Sequence, residues 1–98
     1  MNPYTPRAAK HVADLLRHYG DLERPEAMRT LLAALREASK TIESDPPAGL
    51  MAPRPYPRLA MPGRLWVKAG RYWVAYRRRP NLAIVAVLYE TADIPNRY

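Results

Sequence analysis

Apolar residues in the first part of the chain recur with the spacing of an amphipathic helix. Over residues 5–20 they fall along a single stripe of a helix surface. These residues are Ala8, Val12, Leu15, Leu16 and Tyr19. Thr5 followed by Pro6 is typical of a helix start, because the hydroxyl caps the first turn and proline lacks an N–H that would have no partner there. Gly20 is expected to end the helix in a left-handed conformation.

The same pattern predicts a second helix over residues 25–45. Pro25 and Glu26 favour its start, and the prolines after Asp45 favour its end, because residues that precede proline avoid the helical region. Its apolar stripe consists of Met28, Leu31, Leu32, Leu35, Ala38 and Ile42. A short connection between two amphipathic helices predicts a helical hairpin, whose remaining apolar ridge can cover another layer.

Residues 46–63 differ in composition from the helices before them. They hold six of the eleven prolines of the chain, which excludes both a long helix and a central strand. We interpret this segment as a connector between the helices and the elements that follow. A proline-rich recognition segment is the alternative.

After residue 63, β-branched and aromatic residues predict three strands over residues 64–68, 71–77 and 82–89. Short turns at residues 69–70 and 78–81 make neighbouring strands antiparallel, in a meander. Residues 1–98 are therefore predicted to form a single α+β domain, in which a helical hairpin packs on a small antiparallel sheet. Residues 90–98 are expected to form a tail.

The first two strands present different side chains on their two faces. A turn at residues 69–70 pairs Lys68 with Arg71 and Trp66 with Trp73, and side chains alternate between the faces. The apolar face, expected in the core, carries Leu65, Val67, Tyr72, Val74 and Tyr76. The other face carries Arg64, Trp66, Lys68, Arg71, Trp73 and Arg77.

We predict a solvent-accessible binding face formed by Trp66, Lys68, Arg71, Trp73 and Arg77. Indole rings can stack on bases, and guanidinium groups bind phosphate or carboxylate in a fork, so that nucleic acid or an acidic protein surface fits this face. In the alternative interpretation, both tryptophans are buried under the helices and the cations line the rim.

The net charge of +7 arises entirely in the second half of the chain. Residues 1–45 contain seven basic and seven acidic residues, whereas residues 54–79 contain eight basic residues and no acidic one. This segment is expected to attract an anionic partner. The lack of cysteine excludes disulfides and fits a cytoplasmic location. No apolar stretch approaches the roughly 20 residues that a membrane-spanning helix needs.

Motifs of common catalytic and cofactor sites do not occur in the sequence. It has no glycine-rich phosphate loop, and His11 and His18 have no evident further ligand that would complete a metal site. We therefore predict no metal and no cofactor. Any catalysis would rest on basic residues and tyrosine, which can cleave RNA by stabilising the charge on phosphate.

Three segments of the sequence resemble the C-terminal half of RelE/ParE-type toxins. They are VKAGRYWVAYR at residues 67–77, IVAVLY at residues 84–89 and ADIP at residues 92–95. The resemblance implies the toxin of a type II toxin–antitoxin module, forming a hetero-oligomer with a cognate antitoxin that folds on binding. It further implies either inhibition of DNA gyrase, as in ParE-like members, or ribosome-dependent cleavage of mRNA, as in RelE-like members.

Two departures favour the ParE-like side of the family. Ribosome-dependent members place an arginine where this chain has Trp73, and basic or tyrosine residues after the last strand, where this chain has residues 90–93, with Arg97 and Tyr98 beyond them. We therefore predict a gyrase inhibitor that acts through protein contacts. The alternatives are a ribosome-dependent mRNA endonuclease and a non-toxic nucleic-acid-binding protein. For a nuclease, the candidate residues are Lys68, Arg71, Arg77 and Arg97.

A third departure lies at the N-terminus, where family members begin with a strand. Only residues 1–4 precede the first predicted helix here. A short or missing strand exposes a sheet edge, which an antitoxin strand could cover by β-addition. The apolar ridge around Leu16, Leu31 and Leu35 is either a second antitoxin contact or part of the core.

Overall fold

Two helices precede a three-stranded sheet in the computed structural model, which describes residues 3–92 and residue 94. Helix α1 spans Pro6–Asp21 and helix α2 spans Pro25–Ser44. After two short 3₁₀ turns, strands β1 (Leu65–Ala69), β2 (Tyr72–Arg77) and β3 (Ala83–Tyr89) form an antiparallel sheet with β2 in the centre. This architecture confirms the predicted α+β fold. None of the described helices is long and apolar enough to cross a membrane.

The start of α1 is as predicted, whereas its end is not. Thr5 caps the helix by accepting a hydrogen bond from an N–H of the first turn at 3.3 Å. Gly20 lies inside the helix, and the left-handed residue is Glu23, with φ of 54°. The chain reverses there because the N–H of Arg24 donates to the carbonyl of Tyr19 at 2.9 Å, which satisfies a carbonyl of the last helical turn.

The helices pack on one face of the sheet, and apolar residues of both layers form the main core. Ala8 of α1 and Leu31, Leu35 and Ile42 of α2 are at most 7% exposed there. The sheet contributes Tyr72, Val74, Tyr76, Ile84 and Val87. The core interpretation is therefore confirmed for Leu31 and Leu35, which present no accessible ridge. Leu16 is half-buried at the edge of the same core.

A second apolar cluster covers the opposite face of the sheet. Trp66 and Trp73 lie in it, with 0% and 3% of their surface exposed. The proline-rich segment covers them, because Leu50 pairs with Trp66 through two backbone hydrogen bonds of 2.7 Å and packs there beside Tyr56 and Leu59. The segment is therefore a connector that forms the second wall of the sheet.

The start of this connector is attached to the sheet by Tyr76. The Tyr76 hydroxyl donates to the Pro46 carbonyl at 2.5 Å and accepts a hydrogen bond from the Gly49 N–H at 3.1 Å. A Cβ atom at position 49 would overlap the Tyr76 hydroxyl, so the close approach of backbone and side chain requires glycine there. These bonds hold the connector against the sheet edge at β1.

The predicted register of the first hairpin is wrong by two residues. Lys68 pairs with Trp73, and Trp66 pairs with Ala75. The turn consists of Gly70 and Arg71, because a two-residue hairpin turn needs a positive φ at its first central residue and Gly70 supplies it at 55°. Ala69 at that position would be strained. Since the shift is even, the predicted division of residues between the two faces is retained.

A short N-terminal segment extends the sheet beside β3. Tyr4 forms a parallel bridge with Ile84, the Thr5 N–H donates to the Ile84 carbonyl at 2.9 Å, and the Ile84 N–H donates to the Pro3 carbonyl at 2.8 Å. Within the described residues this segment pairs with β3 at Ile84 alone. From residue 3 onward the N-terminal pairing thus consists of one bridge, and further along β3 the Val87 N–H contacts His11 of α1.

Candidate functional site

The predicted binding face is divided by its own tryptophans. Trp66 and Trp73 lie beneath the connector, so the prediction that solvent and a partner reach both indoles is wrong. The alternative that buries them under the helices is also wrong, because the connector rather than the helical hairpin covers them. No pattern in the sequence indicates this cover, because Leu50, Tyr56 and Leu59 follow neither a helical nor a strand period. The cations of the face therefore lie at two separate ends of the sheet.

One group of charged residues lies at the turn between β1 and β2, and we call Lys68, Arg71, Tyr89 and Glu90 the hairpin end. The Lys68 ammonium is 3.1 Å from Glu90 Oε2 and 5.3 Å from the centre of the Trp73 ring. Only 31% of the Lys68 side chain and 29% of the Glu90 side chain are exposed. The Lys68 charge is therefore held between a carboxylate and an aromatic face.

Arg71 reaches the same carboxylate from the turn. Its Nη1 atom lies 3.9 Å from Glu90 Oε1 and donates to the Tyr89 hydroxyl at 3.3 Å. The backbone fixes this arrangement, because the Glu90 N–H donates to the Arg71 carbonyl at 2.8 Å. The Arg71 side chain is 69% exposed and remains accessible to a partner. Glu90 thus forms ion pairs with both cations, although it was not among the residues predicted for the site.

The other group of cations surrounds a cavity of about 420 Å³ at the opposite end of the sheet, and we call Arg7, Arg64 and Arg77 the arginine end. The cavity is lined by Thr5, Arg7, Met61, Arg64, Arg77 and Val85. None of these lining residues is acidic. Arg77 donates to the carbonyl and side-chain oxygens of Asn81 at 3.4 Å each, and Arg64 donates to the Gly63 carbonyl at 3.5 Å.

The distance between the two ends follows from the strand register. Lys68 pairs with Trp73, and Arg77 follows four residues later in β2, which is about 13 Å at roughly 3.3 Å per residue. The structure therefore does not bring Lys68 and Arg77 together around one small group. Arg97 and Tyr98 lie outside the described residues.

A groove of about 770 Å³ runs between α1, the start of α2 and the C-terminal half of β3, and we call it the edge groove. Its apolar lining residues include Leu15, Leu22, Ala27, Val87 and Leu88. Leu22 is 53% exposed, although it is a large apolar residue. The hydroxyls of Tyr19 and Tyr72 meet at 2.5 Å along the groove. Burial, followed by this hydrogen bond, raises the pKa of Tyr72 above its ordinary value.

His11 links α1 to the edge of β3. Its Nδ1 atom accepts a hydrogen bond from the Val87 N–H at 3.2 Å, and burial lowers the pKa of the imidazole. A signal for this role was present in the sequence, because His11 lies on the apolar stripe of α1, three residues after Ala8 and four before Leu15. Over residues 3–92 and residue 94, no three histidine or acidic side chains are grouped so as to hold a metal ion.

Comparison with known protein families identifies a match over most of the chain. A family model described as the ParE toxin of the type II toxin–antitoxin system, parDE, matches residues 3–93. No curated protein sequence matches the chain. The matched residues include both helices, the connector and all three strands, and hence the arginine end, the hairpin end and the edge groove.

Proposed function

The chain belongs to the ParE toxin family of type II toxin–antitoxin systems, and from this premise we propose that it inhibits DNA gyrase through protein contacts and is neutralised by a cognate antitoxin. The family match over residues 3–93 carries the proposal. Lys68, Arg71 and Arg77 are its candidate target contacts. Trp66 and Trp73, buried beneath the connector, support these contacts by keeping β1 and β2 rigid.

The spacing of the cations supports protein contacts over RNA cleavage. A metal-free nuclease needs several cations around one scissile phosphate, where they stabilise the charge of the transition state. Here Lys68 and Arg71 share Glu90 at the hairpin end, and Arg77 is about 13 Å further along the sheet. Dispersed exposed cations suit a broad acidic protein surface better than a single phosphate.

We propose the edge groove as the binding site of the antitoxin. The N-terminal segment pairs with β3 at Ile84, and beyond it the strand faces the groove that Leu15 and Leu22 line. An antitoxin segment could place apolar side chains in this groove. Strand addition to β3 here would have to replace the hydrogen bond that the Val87 N–H donates to His11 Nδ1. The net charge of +7 would attract an acidic segment of that kind.

The test is a DNA supercoiling assay with purified gyrase and the purified chain. We expect inhibition, and its reversal by the product of the adjacent gene. A K68Q/R71Q variant should need at least about fivefold more protein for half-inhibition, the effect of losing roughly 1 kcal/mol of contact energy. The matched control is R29Q/R36Q on the exposed side of α2, which removes the same charge.

A second measurement distinguishes gyrase inhibition from ribosome-dependent cleavage of mRNA. Cells that express the chain are examined for mRNA cleavage at the ribosome. Normal supercoiling at concentrations that stop growth, together with mRNA cut at ribosomal positions, would refute gyrase inhibition and favour the endonuclease.

A further inference from the structure

We propose that His11 is a pH-sensitive switch on the edge of β3 that faces away from β2. The neutral imidazole accepts the Val87 N–H and thereby closes this edge to strand addition, and protonation of the ring releases the N–H. The switch is a property of the chain alone, because it involves neither gyrase nor an antitoxin.

The Val87 N–H points away from the rest of the sheet. The Glu90 N–H donates to the carbonyl of Arg71, on the side of β2. Because the backbone groups of an antiparallel strand alternate between its two sides, the N–H of Val87 lies on the opposite side. In the part of the chain that the structure describes, β3 is an edge strand, and the N-terminal segment pairs with it at Ile84. A strand added further along this edge would need the Val87 N–H as a donor.

The imidazole of His11 occupies this donor instead. Its Nδ1 atom lies 3.2 Å from the Val87 nitrogen, so the neutral ring carries its proton on Nε2. Val87 is only 1% exposed, and a buried N–H without an acceptor is unfavourable. A protonated ring carries a hydrogen on both nitrogens and cannot accept the bond. Protonation must therefore break the contact, and because Val87 lines the edge groove, the N–H becomes accessible from there.

Two further attachments of α1 confine this change to the middle of the helix. Before its first turn, the Thr5 N–H donates to the Ile84 carbonyl at 2.9 Å. Near its end, the hydroxyls of Tyr19 and Tyr72 meet at 2.5 Å. Neither attachment titrates near neutral pH, because one joins backbone groups and tyrosine loses its proton only near pH 10 or above. Helix α1 therefore stays on the sheet when the imidazole is protonated, and the opening is local.

Basic groups outnumber acidic ones around the imidazole, among the residues that the structure describes. The charged and titratable groups near it are Arg7, Lys10, Asp14 and His18 of α1, Arg24 before α2, Arg71 and Tyr72 beside the hairpin turn, and Tyr89 of β3. Asp14, the acid among them, is also within 2.8 Å of Arg17 and 3.6 Å of Lys10. Burial and the nearby cations lower the pKa of His11, and Asp14 raises it. The switch is therefore closed at neutral pH and opens as the pH falls through a value below the ordinary imidazole pKa of about 6.5.

The test is amide hydrogen exchange of the purified chain, followed by NMR in buffers from about pH 7.5 to about pH 4.5. The readout is the protection factor of the Val87 amide divided by that of the Ile84 amide. The Ile84 N–H is the internal control, because it lies on the same edge and donates to the Pro3 carbonyl at 2.8 Å, an acceptor that does not titrate. We expect the ratio to fall at least about tenfold as the pH falls, the size of one lost hydrogen bond. Its midpoint should coincide with the titration of the His11 ring proton.

Three variants distinguish the switch from other effects of pH. H11Q offers an amide oxygen that does not titrate, and we expect its ratio to stay constant over the series. H11F has no acceptor and should show the low ratio at every pH. The matched control is H18Q, which removes the other histidine that lines the edge groove and should retain the fall.

Three outcomes would overturn the proposal. They are a constant ratio in the unmodified chain, a fall that persists in H11Q or H11F, and a fall that disappears in H18Q. Circular dichroism at each pH checks that the chain and its variants are folded. If H11F does not fold, the unmodified chain, H11Q and H18Q still decide the result. The assay contains neither gyrase nor an antitoxin, so its failure leaves the supercoiling result unaffected.

Discussion

The hairpin end and the arginine end both gather basic side chains at an end of the same sheet, yet they differ in the acidic residues that the structure describes beside them. At the hairpin end, Glu90 lies 3.1 Å from Lys68 and 3.9 Å from Arg71. At the arginine end, three guanidinium groups line a cavity, and none of the described residues that line it is acidic. The number of basic residues therefore identifies a positively charged protein, whereas the position of a single carboxylate decides which of its cations are paired within the chain.

The two ends are separate because the connector covers the sheet between them, on the face opposite the helices. Substitution of Trp66 by alanine should reduce the free energy of unfolding by about 3–5 kcal/mol, since it removes a fully buried indole from a packed cluster. Urea unfolding measures this change. The control is Met51→Ala, where the side chain is 71% exposed and the expected change is within about 0.5 kcal/mol. A cost for Trp66→Ala as small as that of the control would mean that the connector does not seal the face.

Local patterns in the sequence were sufficient for the helices and for the two faces of the sheet. Helical period identified α1 and α2, and alternation separated Val74 from Trp73 correctly even though the register was wrong. Such patterns report which side chains share a side, because they depend on neighbours along the chain. They do not report what covers that side. The connector residues that cover Trp66 lie in a long loop with neither helical nor strand periodicity. The burial of the indole therefore could not be predicted from the sequence.

The two ends depend on contacts that are distant in sequence. Arg64 faces Arg77 only because Gly70, rather than Ala69, takes the first position of the turn. Arg7 joins them through the bridge at Ile84. Glu90 follows β3 and returns to Lys68 and Arg71 because β3 pairs with β2. Each of these relations is a consequence of register, which residue composition does not specify.

Removal of the Glu90 carboxylate should make the hairpin end resemble the arginine end. In Glu90→Gln, Lys68 and Arg71 lose their partner, and we expect a polyanion such as duplex DNA to bind about threefold to tenfold more tightly with a steeper salt dependence. The free energy of unfolding should change by less than about 1 kcal/mol, because the ion pairs are partly exposed. Fluorescence anisotropy of a labelled duplex and urea unfolding are the measurements.

The matched control for this prediction is Glu37→Gln, which changes the net charge equally at an exposed position of α2. If both glutamine variants bind DNA with the same affinity, the gain comes from net charge alone, and the local pairing at Glu90 has no influence on the surface.

His11 lies on α1 after Arg7, and its titration can report the field of the arginine end. Burial is the main cause of its lowered pKa, Arg7 and Lys10 lower it further, and Asp14 raises it. Substitution Arg7→Gln should therefore raise the pKa of His11 toward its ordinary value. Substitution Arg71→Gln at the hairpin end should leave it unchanged. The measurement is an NMR titration of the His11 ring proton in each variant.

The lowered pKa of His11 also determines the direction in which stability changes with pH. Because folding lowers the pKa of His11, the neutral imidazole stabilises the folded chain above the unfolded pKa of about 6.5, and this contribution is lost as the pH falls through the lower folded value. Protonated Nδ1 cannot accept the hydrogen bond from the Val87 N–H, which is then left without its acceptor. Stability should thus fall below pH about 6.5, and less steeply in Arg7→Gln, where the folded pKa is closer to the unfolded one. A His11 pKa that responds to Arg71→Gln as much as to Arg7→Gln would show that the field extends over the whole sheet and does not distinguish its two ends.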